Sequence, residues 1–344
     1  MLANILKWLF IQYNRTSLRT KYFNGTLSVE GLSKPVTVIT DKYGVPHIYS
    51  DTEEDLFFAQ GFIHARDRAW QMEMNRRVAH GQVAEAFGDI ALDTDRLVRT
   101  LGFNKLARED YAIASEETKN ILTCYSNGVN AFFKKGSLPI EFKLSKIKPR
   151  EWEPIDSLAF GRVMAWTLSH GWSGALTRQE IIEKVGLDKA AELNIVYPNS
   201  NPVELPDGIE FNELGLDDMM KSMKGPFLDR DMEGGGRGSN AWAITSEKSE
   251  TKNPILCNDT HLVLSLPSVW YLNHLHSESN YHVTGATMLG FPGIVLGHNQ
   301  FAGWGVTLAY TDVEDIFIEK INLSNPNEYM YKDNYLNFEH REEI

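Results

Sequence analysis

Apolar and polar positions fall into three different textures along this chain. Residues 36–40 form a β-branched run that stops at the turn signal Asp41-Lys42-Tyr43-Gly44, which predicts a strand and then a tight turn. After Val45-Pro46-His47-Ile48, Ser50 or Asp51 is placed to cap a helix opening on Glu53, Glu54 and Asp55. A capping oxygen satisfies the first free N–H groups, and acids suit the positive end of the helix dipole. Leu56, Ile63, Trp70 and Met74 recur at helical spacing, and Gly81 and Gly88 punctuate the next segment. Residues 116–133 and 156–169 carry the same signature, acids first and then an apolar rhythm of three to four. Residues 1–200 therefore read as a mainly helical region.

The texture changes over residues 201–238. Asp207, Glu210, Glu213, Asp217, Asp218, Asp229, Asp231 and Glu233 crowd a stretch that ends in Gly234-Gly235-Gly236-Arg237-Gly238. A segment so acidic and so poor in large apolar residues buries little, and it reads as an exposed spacer. Residues 239–344 change again. Short β-like runs at 241–245, 255–258, 281–284, 293–297, 304–308 and 316–321 are separated by Gly, Pro and Asn, which predicts sheet.

With 344 residues and 42% hydrophobic residues, the chain holds enough apolar material for one large domain or two. Its 46 acidic against 34 basic residues give a net charge of −12, which argues against a nucleic-acid partner, because cations must displace counterions from phosphate. The two cysteines, Cys124 and Cys257, make no disulfide framework. Residues 1–11 are too short to span a bilayer and carry Lys7 in their middle, so no membrane insertion is expected there. They also lack a basic leader and a small-residue cleavage site, and read as an amphipathic opening helix rather than a signal peptide.

The informative junction is Gly238-Ser239-Asn240, where the spacer meets the first β-run. Cutting the peptide bond before Ser239 would make the serine a chain terminus. Its α-amino group would then titrate near pH ~8, far below lysine. Such an amine, directly or through a water, can serve as general base for its own hydroxyl. One residue then supplies both nucleophile and base.

The residues around this junction resemble the penicillin acylase family of N-terminal-nucleophile hydrolases. Gly238-Ser239-Asn240-Ala241-Trp242 and Asn258-Asp259-Thr260-His261-Leu262 look like the start of that family's β subunit. Gly290-Phe291-Pro292-Gly293, Gly297-His298-Asn299 and Trp304-Gly305-Val306-Thr307 are similar to its later motifs, in order. On the α-subunit side, Gly44-Val45-Pro46-His47-Ile48, Ala59-Gln60-Gly61, the stretch His64-Ala65-Arg66-Asp67-Arg68 and Trp152-Glu153-Pro154-Ile155-Asp156 match too. The resemblance implies an α+β fold of the αββα sandwich type, incomplete here. It also implies a precursor that cuts itself between Gly238 and Ser239 to give an α/β heterodimer. The implied reaction is hydrolysis of a small-molecule linear amide, and candidate substrates are β-lactam side-chain amides and acyl-homoserine lactones. The family setting would be periplasmic or secreted, without a convincing signal peptide in this chain.

By the same resemblance the backbone N–H of Leu308 is one oxyanion donor. His261 matches the position whose side chain orients the nucleophile. Leu168, Ser169 and Leu262 fall at substrate-facing positions. Leu168 and Ser169 stand where penicillin G acylases carry an Arg–Phe pair, so a phenylacetyl preference does not carry over. The family's second oxyanion donor, an asparagine, and a nearby arginine lie beyond Ile344, and this chain alone is expected to be inactive. Asp312 and Asp315 match calcium-ligand positions, carboxylates being suited to a hard cation. The glutamate that would complete that site is replaced by Ala175, which leaves two solvated loop acids as the alternative.

Two other classes remain open. His274 and His276 are spaced i, i+2, on one face of a strand, with His282 and His298 near in sequence, so a zinc-dependent hydrolase is an alternative. A family member that keeps only its fold or a binding role is the other. The Asn14-Arg15-Thr16 and Asn24-Gly25-Thr26 triplets fit the glycosylation pattern but decide nothing alone.

Overall fold

The computed structural model describes residues 24–169, 171–193, 238–262, 264–308, 313–314, 316–317 and 319–342. The expected opening helix at residues 1–11 lies outside the described residues, as does the acidic spacer apart from Gly238. The chain divides into two compact units: residues 1–165 with 225–308, and residues 166–224 with 309–344.

The first unit opens with β1 (Thr37–Thr40) and β2 (Pro46–Ser50), joined by the predicted turn. Asp41 holds that turn by accepting from the N–H groups of Tyr43 and Val45. Helix α1 (Glu53–His80) comes next. Its cap is Thr52 rather than Ser50 or Asp51: the Thr52 hydroxyl accepts from the Asp55 N–H at 3.2 Å. Ser50 is still in β2, too early in the chain to reach the free N–H groups of the first turn. Asp55 in turn accepts from the Ser33 and Lys34 backbone and tethers the incoming chain. Gly81 ends α1 in a left-handed conformation (φ 60°, ψ 52°), where a side chain would be strained.

Helices α2 (Ala84–Phe87), α3 (Leu92–Leu101) and α4 (Phe103–Ile113) lead to α5 (Glu116–Lys135), capped by Ser115. Helices α1 and α5 cross in near backbone contact. A Cβ on Gly61 would lie 2.1 Å from the Tyr125 carbonyl oxygen, and one on Gly128 would lie 1.8 Å from that of Phe58. Only two hydrogens in place of methyl groups permit this approach. After α6 (Ile140–Ser145), α7 (Pro154–Leu168) starts two residues before the predicted position.

The main sheet has strand order β1-β2-β5-β6-β7-β8, with β5 (Trp270–Ser277), β6 (Tyr281–Met288), β7 (Leu296–His298) and β8 (Gly303–Trp304). Strands β2 and β5 run parallel, and the other pairs run antiparallel. Tyr271, Asn273, Leu275 and Ser277 of β5 are buried, whereas Leu272, His274 and His276 point to the opposite, more open face. The core joins the buried face to the helices through Ile48, Leu56, Met72, Tyr125, Val129, Trp152, Leu275 and Leu289. A separate hairpin pairs β3 (Gly238–Ile244) with β4 (Ile255–His261). The run at 304–308, expected as a strand, is extended beyond Trp304 without ladder pairing. The Asn258 side chain holds it instead.

The second unit carries α8 (Gly171–Val185), α9 (Leu187–Ala191) and a sheet of order β11-β10-β9. Its strands are β9 (Lys320–Ile321), β10 (Glu328–Tyr331) and β11 (Asn334–Asn337). Among the described residues of the run predicted at 316–321, Lys320 and Ile321 form β9, paired with Met330 and Tyr329. Among the described residues no helix is long and apolar enough to cross a membrane.

Candidate active site

The glycine–serine junction sits at the first two positions of β3. Register pairs Gly238 with His261, Ser239 with Thr260 and Asn240 with Asp259. The Ser239 hydroxyl donates to the Gly238 carbonyl oxygen at 2.7 Å, so the nucleophile candidate already lies against the peptide group it would attack. A Cβ on Gly238 would be 3.9 Å from His261 Nδ1. The opposite ring nitrogen, Nε2, lies 2.9 Å from Asp259 Oδ2. A carboxylate there favours a proton on Nε2, which leaves the Nδ1 lone pair on the side of the junction.

Strand β4 also positions the segment that carries Leu308. Asn258 donates from Nδ2 to the carbonyl oxygens of Asn240 (3.2 Å) and Val306 (3.0 Å). Its Oδ1 accepts from the Val306 N–H at 2.9 Å. A single amide thus ties residues 304–308 alongside both strands of the hairpin. Gly305 makes room for it, since a Cβ there would fall 2.9 Å from Asn258 Cβ, Cγ and Oδ1. Leu308 comes two residues after Val306 and is half-buried. Leu262 is likewise half-buried at the end of β4, and the Trp270 indole donates to the Thr260 hydroxyl at 2.9 Å to fix that end.

Leu168 and Ser169 are half-buried at the end of α7, in the second unit, as is Ala175, which is exposed on α8. Asp312 and Asp315 lie outside the described residues. The anchoring role of Asn258 is one that its motif alone does not reveal. An asparagine in a β-run, with nothing local to bond, is the signal that points to it.

Upstream of the junction, α1 holds the loop that links β6 to β7. The Gln60 amide donates to the Gly293 carbonyl (3.0 Å) and accepts from the Gly293 N–H (2.8 Å). His64 Nδ1 accepts from the Tyr125 hydroxyl at 2.8 Å, whose oxygen accepts from the Gly290 N–H at 3.1 Å. Complete burial pushes the His64 imidazole down to about 3, with Arg68 adding to the effect and Asp67 opposing it. The same burial raises the Tyr125 phenol well above its ordinary value, which keeps it a hydrogen-bond donor. These glycine-rich turns are therefore set by buried side chains of helices far away in sequence.

Three of the four histidines singled out in the sequence converge. His274, His276 and His282 come together on the open face of the main sheet, with ligand nitrogens within 4.8 Å of one another. His298 is not in the group; it pairs only its Nδ1 with the Asn299 carbonyl. His47 joins instead from β2, directly beside His274 in the parallel register, with the two Nδ1 atoms 3.2 Å apart. Burial first, and then the neighbouring imidazoles, push His274 down to about 4.

An α+β chain with a Gly–Ser pair at a strand start, a histidine beside it and an asparagine-anchored extended segment defines the class. Residues 35–344 match the penicillin amidase family, and the chain belongs to that family. It is 36% identical over 308 residues to penicillin acylase 2 proenzyme of Pseudomonas sp. (strain SE83), covering 86% of this chain and 39% of that protein. It is 31% identical to the acyl-homoserine lactone acylase QuiP of Pseudomonas aeruginosa, covering 93% of this chain and 38% of that protein. A solved thermostable penicillin G acylase from Alcaligenes faecalis aligns with a TM-score of 0.42 at 24% identity, over 51% of this chain and 98% of that one. The chain thus spans about two fifths of the length of these two curated relatives.

Proposed function

We propose that this chain carries the processing junction and nucleophile of an autoprocessed amidohydrolase with the αββα sandwich fold. In the first step the Ser239 hydroxyl attacks the Gly238 carbonyl carbon. The C–N bond breaks, the Ser239 nitrogen keeps the proton released by the hydroxyl, and the acyl group moves to oxygen as an ester. Water then hydrolyses the ester, leaving a Gly238 carboxylate and a free Ser239 amine. In the second step that amine acts as base while Ser239 attacks the carbonyl of a linear amide. The amine product leaves, and water releases the acid.

His261, oriented by Asp259, positions the serine. The Leu308 N–H, placed through Asn258 and Val306, stabilises the tetrahedral oxyanion. Leu262, at the end of β4, contributes to substrate binding beside the junction. Asp312 and Asp315 contribute carboxylates to a calcium site without the family's glutamate. The two pieces stay together as an α/β heterodimer. The relatives' names point to acyl-homoserine lactones or β-lactam side-chain amides as the substrate class.

The observation that carries this reading is the Ser239 hydroxyl 2.7 Å from the Gly238 oxygen, at the start of a strand facing His261. Mass spectrometry of the precursor, expressed from its complete gene, tests it. Wild type is expected as two or more fragments, one beginning at Ser239, while Ser239→Ala remains whole. A wild-type protein intact before Ser239 would refute the reading.

A further inference from the structure

We propose that His274, His276 and His282 form a binding site for a divalent transition metal, with Zn2+ as the ion best matched to it. The ligands come from β5 and β6 on the open face of the main sheet, apart from the acyl-transfer residues. Three imidazoles are a borderline-soft nitrogen set, which suits zinc and excludes the hard, oxygen-seeking calcium.

Two carboxylates and one contact between imidazoles decide which ring nitrogens keep free lone pairs. Asp41 Oδ2 lies 3.7 Å from His47 Nε2 and draws the proton to that nitrogen. His47 Nδ1 is then an acceptor, so the 3.2 Å contact requires His274 Nδ1 to carry the hydrogen. His274 Nε2 is left as a bare lone pair, and it is buried with no hydrogen-bond partner. Glu278 Oε1, 3.7 Å from His276 Nε2, acts on that ring in the same way. His276 Nδ1 is then the second bare lone pair, again buried and without a partner. Buried polar atoms without partners are rare in native proteins. Here two of them belong to rings that, with His282, bring one ligand nitrogen each within 4.8 Å of one another, and the His282 ring centroid is 4.9 Å from each of theirs.

This is the arrangement zinc histidines adopt, with the outer nitrogen held by a carboxylate, or by a histidine that a carboxylate holds, and the inner one free. Tetrahedral zinc places its ligand nitrogens about 3.3 Å apart. The spread of 4.8 Å closes to that value through small side-chain rotations. Three ligands leave a fourth position for water.

Chelator-stripped protein is incubated with Zn2+, desalted, and its metal measured by plasma mass spectrometry. Wild type and His298→Ala are expected to retain about one equivalent, and His276→Ala and His282→Ala less than about 0.1. Glu278→Gln, which touches no metal, is expected to weaken zinc binding about tenfold by calorimetry. Cobalt(II) added to unmutated protein is expected to give the intense visible bands of a tetrahedral nitrogen site, a readout independent of any variant's folding. Wild type that holds no zinc, cobalt without such bands, or folded His276→Ala and His282→Ala that keep their zinc would each overturn the proposal.

Discussion

His64 makes stability depend on acidity in a way that can be isolated. Its ring is fully buried between α1, α5 and β5, and burial holds its folded pKa near 3 against 6.5 in the unfolded chain. Between those values the unfolded state binds a proton that the folded state refuses. Stability is therefore complete above about pH 6.5, falls as pH drops through that value, and flattens below about pH 3. At about pH 5 the loss from this one group is about 2 kcal/mol, from 1.36 kcal/mol for each unit below the unfolded pKa. His64→Gln keeps an acceptor for the Tyr125 hydroxyl and removes the titration. Urea unfolding of both proteins at about pH 7 and about pH 5 gives the difference, in which all other ionisable groups cancel. The variant is expected to be less stable at the higher pH, but wild type should lose about 2 kcal/mol more on acidification. Equal losses in the two proteins would refute the claim that this imidazole is folded in its neutral form.

Packing and anchoring carry two further consequences. Gly128→Ala gains about 1 kcal/mol of helix propensity but places a methyl carbon inside the Phe58 carbonyl, so a net loss of about 2 kcal/mol or more is expected in thermal unfolding. A variant as stable as wild type would show that the α1–α5 contact is looser than described. Asn258→Ala removes both bonds to Val306. In the processed enzyme it is expected to lower kcat by about 100-fold while amide exchange at Val306 rises, and an unchanged kcat would separate this anchor from the oxyanion site.

The long helices are legible in the sequence because acids open them and apolar residues recur along them, although the first turns of α1 are buried on every side, from Asp55 to Gly61. Leu56 and Ile63 are in the core, and Trp70 and Met74 pack against it half-buried, so their spacing carries real information. Cap residues are less readable: Ser50, Asp51 and Thr52 are all competent, and only the end of β2 decides among them. Strands β10 and β11 leave no clear pattern because Tyr, Asn and Met alternate there without an apolar face, their burial being slight on both sides. At the candidate site, the sequence puts the Gly238–Ser239 junction and His261 in neighbouring β-runs and the hairpin register sets Gly238 opposite His261, whereas the Asn258 bridge spans 48 residues and leaves no periodic trace. The meeting of His47 and His274 is a matter of parallel register across 227 residues, so sequence spacing shows the other three histidines of the cluster but not His47.

The main sheet interleaves material from both sides of Gly238–Ser239. Strand β2, from upstream, is zipped along β5, from downstream, over four residue pairs, and Gln60 and Tyr125 reach into the downstream turns. Severing the backbone at that bond would therefore create two polypeptides but not two bodies. Neither could depart without tearing open a hydrogen-bonded ladder and exposing Ile48, Leu56 and Leu275 to water, so such a scission would be mechanically silent except at the new terminus itself.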